Sequence, residues 1–147
     1  MTSQESKGNG FFDRTFIIKV RFKMKIRIKG NSIRYRLTKT EVETFCKEGL
    51  YEEQTEFKDH IFKYVLRSKN NISHLEADFK NDTIIMYLPE KDKLFWANSD
   101  RVGFQYTIVM ENGKELFLLL EKDFVCLDET IEDQSDNYPN PLMDKKE

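Results

Sequence analysis

Two dipeptides, Gly30-Asn31 and Asn112-Gly113, each stand between stretches in which apolar and polar residues alternate. Alternation with a period of two is the pattern of a half-buried strand, and a two-residue glycine turn joins only antiparallel neighbours. A chain punctuated in this way is committed to hairpins. Asn81-Asp82 supplies a weaker turn between 74–80 and 83–88, and residues 50–57 and 60–67 read as a further strand pair with Phe62, Tyr64 and Leu66 on one face. Seven or eight strands result, without the strand-helix-strand alternation that parallel sheets require. The expected fold is α+β: mostly antiparallel β hairpins in a strongly curved or barrel-like sheet, with two short helices.

The first helix announces itself by Thr38 as N-cap and Glu41 three residues on, a capping box, with Val42, Phe45 and Cys46 on one face and Gly49 as the stop. The second starts at Pro89, carries Leu94, Phe95 and the sole Trp96, and ends near Asn98. If Asn112-Gly113 makes a two-residue turn, Gln105, Thr107 and Val109 share a side with Leu116, Leu118 and Leu120, while Tyr106 and Ile108 share the other with Phe117 and Leu119. Both sides are then apolar, which predicts a central hairpin covered by a helix and by the core. No internal repeat of fixed period is visible.

Apolar residues recur at every second position from Phe16 to Ile28, longer than the roughly 3–10 residues of an ordinary strand. Met24 opens a segment that holds a complete hairpin by itself. Residues 1–23 therefore read as a flexible or artefactual N-terminal extension, with a genuine first strand as the other reading. Residues 24–127 form a single globular domain, and 128–147 an acidic irregular tail containing Pro139 and Pro141.

Charge is unevenly spread over the 147 residues. Residues 1–37 hold ten Lys/Arg and two Asp/Glu, and the rest of the chain fourteen and twenty-four, although the whole carries only -2. No apolar run approaches the ~20 residues of a membrane span, and Lys19, Arg21 and Lys23 interrupt the one segment that could resemble a signal. Two cysteines without close spacing, Cys46 and Cys126, suggest reduced thiols. The expected location is the cytoplasm.

The segments MKIRIKGNSIRYRLTKTEV at 24–42, LFWANSDRVGF at 94–104, EKDFVCL at 121–127 and EDQSDNYPNP at 132–141 resemble a small family of uncharacterised bacterial proteins, a domain of unknown function. The resemblance covers nearly everything from Met24 onward. It implies a bacterial source and favours Met24 as the natural start, but it brings no catalytic residue with it.

The first hairpin carries the sharpest chemical inference. A two-residue turn pairs Arg27 with Arg34 and Lys25 with Arg36, so four cations oppose one another on one face. Like charges directly across a ladder repel and call for a counter-ion. They can be solvated edge residues that block aggregation. They can be covered from within, by Glu76 and Asp78 or by the tail around Glu132, Asp133 and Asp136. Or they can bind an external polyanion, meaning nucleic acid, nucleotide or polyphosphate. Alternation turns Tyr35 into the core, away from Arg34 and Arg36, so no stacking platform forms and sequence-specific nucleic acid is disfavoured.

Glu76-Ala77-Asp78-Phe79-Lys80 is similar to the ExExK signature of the triphosphate tunnel enzymes, which would make Glu76 and Asp78 ligands of Mg²⁺ or Mn²⁺ for polyphosphate or nucleotide hydrolysis. That reading departs from the signature in its Asp78 and in its place along the chain, and it demands that Lys25, Arg27, Arg34, Arg36, Glu76 and Asp78 all line one cavity. Cys46, His60, His74 and Cys126 lack the close spacing of a zinc site, and the acidic run 128–136 lacks the features of a calcium loop. The favoured reading is a binding or interaction domain without cofactor or assigned catalytic activity, with Lys25, Arg27, Arg34 and Arg36 as the anion-binding candidates; the tunnel-type hydrolase is the alternative.

Overall fold

The architecture grows from the register of its first hairpin. In the computed structural model, which describes residues 23–124 and 134–141, β1 (Lys25–Ile28) and β2 (Ser32–Leu37) pair with Arg27 opposite Arg34 and Lys25 opposite Arg36, as a two-residue turn requires. Gly30 takes φ 56°, and Lys29 and Ser32 exchange both backbone hydrogen bonds at 3.2 Å. Within the described part of the long alternating run, 25–28 is strand; Phe16 to Phe22, like most of the extension, lie outside the described residues. Helix α1 (Lys39–Glu48) begins at Thr38, whose N–H donates to the Glu41 carboxylate at 2.8 Å, and stops at Gly49 in the left-handed region, φ 79°.

The chain continues through β3 (Leu50–Glu56), β4 (Ile61–Lys69), β5 (Glu76–Lys80) and β6 (Thr83–Pro89) to α2 (Glu90–Trp96), then β7 (Gly103–Val109) and β8 (Glu115–Lys122). Asn81 and Asp82 both adopt positive φ, so the weaker of the expected turns forms a left-handed two-residue link. Asn112-Gly113 behaves differently. Met110 donates its N–H to the Lys114 carbonyl and accepts from Gly113, each at 2.8 Å, with Gly113 at φ 86°. A three-residue loop thus replaces the two-residue turn, and the one added residue shifts the register by one. Ile108 pairs with Leu116, Tyr106 with Leu118 and Phe104 with Leu120. This corrects the expected grouping of Gln105, Thr107 and Val109 with those leucines.

Two four-stranded sheets result. Sheet I runs β1-β2-β8-β7 and sheet II runs β3-β4-β6-β5. Each is a pair of hairpins joined through its inner strands, and those inner pairs, β2 with β8 and β4 with β6, are parallel. Four of the six strand pairings are antiparallel hairpins, as expected, but the two parallel seams make both sheets mixed, and no closed barrel forms among the described residues. Edge strand β5 brings the chain back between β4 and β6, so a parallel neighbour is reached without a crossover helix. Strand β7 is an edge, not a central strand.

The topology also contains a duplication that no fixed period betrays. β1-β2-α1-β3-β4 and β5-β6-α2-β7-β8 are the same succession, and exchanging them maps sheet I onto sheet II. The segments 26–37 and 77–88 align residue by residue in register as inner-face strand, two-residue turn and inner-face strand: Ile28 corresponds to Phe79, Ile33 to Ile84 and Leu37 to Leu88. All four hairpin turns lie at one end of the two sheets. Both helices lie at the other.

The inner faces meet in a core of Tyr35, Leu37, Phe104, Leu118 and Leu120 from sheet I and Tyr64, Leu66, Ile84, Met86 and Leu88 from sheet II. At the helix end Val42 and Phe45 enter it, and Trp96 stands edge-on to Phe45 at 6.5 Å and to Phe104 at 5.4 Å. Two tyrosines stitch the sheets together. The fully buried Tyr35 hydroxyl accepts from the Val65 N–H and donates to the Ile84 carbonyl, while Tyr64 donates to the Met24 carbonyl at 2.8 Å. Burial thus turns Tyr35 inward, as alternation requires. In the described part of the tail, Tyr138 donates its N–H to the Asp123 carbonyl, and Lys39 donates to that of Asp136, without forming a named strand.

Candidate functional site

Alternation places Lys25, Arg27, Arg34 and Arg36 together on the outer face of sheet I, away from the core. Two acids from the far end of the chain answer them. Glu121, which pairs with Arg36 across the parallel β2–β8 seam, takes Arg34 Nη2 at 2.6 Å and Nε at 2.8 Å, and Arg36 Nε at 3.3 Å, all on the same carboxylate oxygen. Asp123, whose side chain is only 4% exposed, stands 3.0 Å from Lys25 Nζ. Among the described residues three of the four cations therefore share two acids, and Arg27 and Lys29 are in no ion pair. Beside them a depression of about 220 Å³ is lined by Arg27, Lys29, Ser32, Ile33 and Arg34, with Phe117 and Leu119.

Of the internal counter-ions the sequence suggested, the described ones are engaged elsewhere. Glu76 pairs with Lys69 at 3.2 Å, Asp78 accepts from the Tyr87 hydroxyl at 3.3 Å, and Asp136 accepts from the Thr40 hydroxyl at 2.9 Å; Glu132 and Asp133 lie outside the described residues. Glu76 and Asp78 occupy the outer face of sheet II, with Tyr87, Ile85 and Thr83. The four cations occupy the outer face of sheet I, so the core separates the two groups. The single cavity that the tunnel reading demands is absent among the described residues. Its interior position is filled instead by side chains such as Tyr35, Ile84 and Leu118.

A family model described as a family of unknown function, DUF7009, matches residues 24–142. The chain belongs to this family. Comparison with curated proteins and with solved structures found no match.

The remaining chemistry-bearing side chains of the DUF7009 domain are scattered. His60 faces Asp82 at 3.3 Å, His74 stacks on Tyr106 with ring centres 3.7 Å apart, Cys46 is half-buried on α1, and Cys126 lies outside the described residues. No group of three potential metal ligands occurs among the described residues, and no helix there is long and apolar enough to cross a membrane. Glu41 is the most perturbed acid. Burial pushes its carboxyl up to about 7, against the hydrogen bonds from Thr38, and the neighbouring Glu53 charge adds to the rise. Tyr51 donates to the same carboxyl at 3.4 Å, and Glu53 is itself raised by burial.

Sequence reasoning found Lys25, Arg27, Arg34 and Arg36 as one face but missed Glu121 and Asp123. The only local signal was that Glu121 and Asp123 bracket Lys122 at the end of an apolar strand. The partners of Glu121 lie 85 and 87 positions away, across a parallel pairing that no turn residue announces.

Proposed function

We propose that the DUF7009 domain is a non-catalytic binding module that takes an anionic ligand on the outer face of sheet I, with Arg27, Lys29 and Arg34 as its contacts and Lys25 and Arg36 at their side. The observation that carries this reading is the partly neutralised face: among the described residues two acids engage Lys25, Arg34 and Arg36, while Arg27 and Lys29, in no ion pair there, border a depression. Glu121 and Asp123 hold Arg34 and Lys25 in place, which leaves the planar guanidinium of Arg27 and the Lys29 ammonium as the groups that recruit an anion. Phe117 and Leu119 in the same depression favour a ligand with an apolar or aromatic portion next to its charge. Phosphate-bearing small molecules fit this chemistry better than a long duplex, since the acidic remainder of the chain repels an extended polyanion.

A cytoplasmic bacterial setting fits two cysteines without close spacing and a sequence in which no apolar run approaches the length of a membrane span. Thermal shift against tripolyphosphate, nucleotides and short single-stranded nucleic acids, at low and high salt, tests the reading. The expected result is stabilisation that weakens with salt and is lost in Arg27→Gln/Lys29→Gln. Absence of stabilisation by every polyanion leaves internal charge masking as the whole role of the face.

A further inference from the structure

The register of sheet I sets its outward side chains in rows that run across all four strands. One row is Arg27 on β1, Arg34 on β2, Leu119 on β8 and Gln105 on β7. The next, toward the turns, is Lys29, Ser32, Phe117 and Thr107. The chemistry therefore changes in one direction: cations on the β1–β2 side, an apolar strip on β8, and a neutral hydrogen-bonding strip on β7. Neighbouring strands are about 4.8 Å apart, which sets the cations of β2 roughly 10 Å from the polar groups of β7. Phe117 is the one ring in these rows; it is half-buried and stacks on no other ring among the described residues. Gln105 and Thr107 are exposed, and neither side chain is in a hydrogen bond among the described residues. Two acids share the face. Glu121 is taken up by Arg34 and Arg36, and Glu115 stands on the turn side of Phe117, opposite Val109. Glu115 keeps a phosphate on the β1–β2 side and leaves the ring to an uncharged group.

We propose that this face takes a free nucleotide laid across the strands, its phosphates on Arg27, Lys29 and Arg34, its base stacked on Phe117 beside Leu119, and the edge of the base against Gln105 and Thr107. The inference rests on the anion-binding reading of the same face and names the class of ligand. The order of the strips carries it. A nucleotide offers charge, then a flat π face, then a hydrogen-bonding edge, in that sequence. Inorganic polyphosphate leaves Phe117 and the β7 strip unused, and an acyl phosphate leaves Gln105 and Thr107 unused. A single ring accommodates a single base, which favours a monomer over a strand. The Gln105 amide both donates and accepts, so the face discriminates little between bases.

Calorimetric titration with ADP, pyrophosphate and a short single-stranded oligonucleotide at one salt concentration, with proton NMR of the ADP base, tests the assignment. ADP is expected to bind about tenfold or more tightly than pyrophosphate, the contribution of one stacked base, with upfield shifts of the base protons. Phe117→Leu, which keeps apolar bulk, is expected to bring ADP down to the affinity of pyrophosphate and leave pyrophosphate unchanged, while Phe117→Tyr keeps the preference. Gln105→Ala/Thr107→Ala, on an exposed edge strand, is expected to weaken ADP and not pyrophosphate. Equal affinities for ADP and pyrophosphate, or a Phe117→Leu variant that weakens both alike, overturn the assignment and leave the anion-binding reading standing. An oligonucleotide that binds more tightly than ADP overturns the free monomer as the ligand. Failure of ADP and pyrophosphate alike removes the anion-binding reading and this one with it.

Discussion

At the scale of single residues, the protein is organised by polar groups placed where burial makes them consequential. The Tyr35 hydroxyl is fully buried and engaged on both sides, accepting from one inner strand of sheet II and donating to the other. Tyr35→Phe leaves the Val65 N–H and the Ile84 carbonyl without that partner, and is expected to cost about 1–3 kcal/mol in urea denaturation. Glu41 acts in the opposite sense. Its folded carboxyl is raised from 4.5 to about 7, so between those values the native state holds more protons than the unfolded chain. Stability from this group is therefore highest in acid and falls as pH rises through that window. Tm measured from pH 7.5 down to 5 is expected to rise by this contribution, and Glu41→Gln, which keeps an acceptor for the Thr38 N–H, is expected to flatten it.

At the scale of elements, turn chemistry decides which side chains share a face. The first hairpin was fully legible: Gly30-Asn31 dictates the Arg27–Arg34 and Lys25–Arg36 pairs. The capping residues Thr38 and Glu41 and the stop at Gly49 were legible for the same reason, since caps act within one turn of chain. Asn112-Gly113 misleads because the same dipeptide serves a two-residue turn and a three-residue loop, and one residue reverses every side chain of the strand. Gly103 shows how tightly β7 then lies on β8. A Cβ there would collide with the Leu120 carbonyl and come within 2.8 Å of Glu121. Gly103→Ala is expected to lower stability markedly, by about 2 kcal/mol or more, with the loss seen as early amide exchange in β7.

At the scale of the whole molecule, the pairings that matter join distant parts of the chain. Local patterns establish that hairpins form but say nothing about which hairpins meet, so the parallel β2–β8 and β4–β6 seams and the exchange of hairpins between sheets were not readable. For the same reason the sequence did not point to Glu121 and offered Glu76 and Asp78 instead, because Glu121 reaches Arg34 and Arg36 only through the β2–β8 seam. Glu121→Gln removes the acid they share. It is expected to destabilise the fold by about 1–3 kcal/mol while raising affinity for tripolyphosphate, two opposed effects that a purely masking face would not produce together.

The most direct measurement of the anion-binding account is amide shift mapping of the isotope-labelled protein during titration with tripolyphosphate at low salt. The account predicts saturable shifts confined to residues 27–34 and 117–119, absent in Arg27→Gln/Lys29→Gln. Shifts spread over the lysine-bearing surface without saturation, or centred on Glu76 and Asp78, would contradict it.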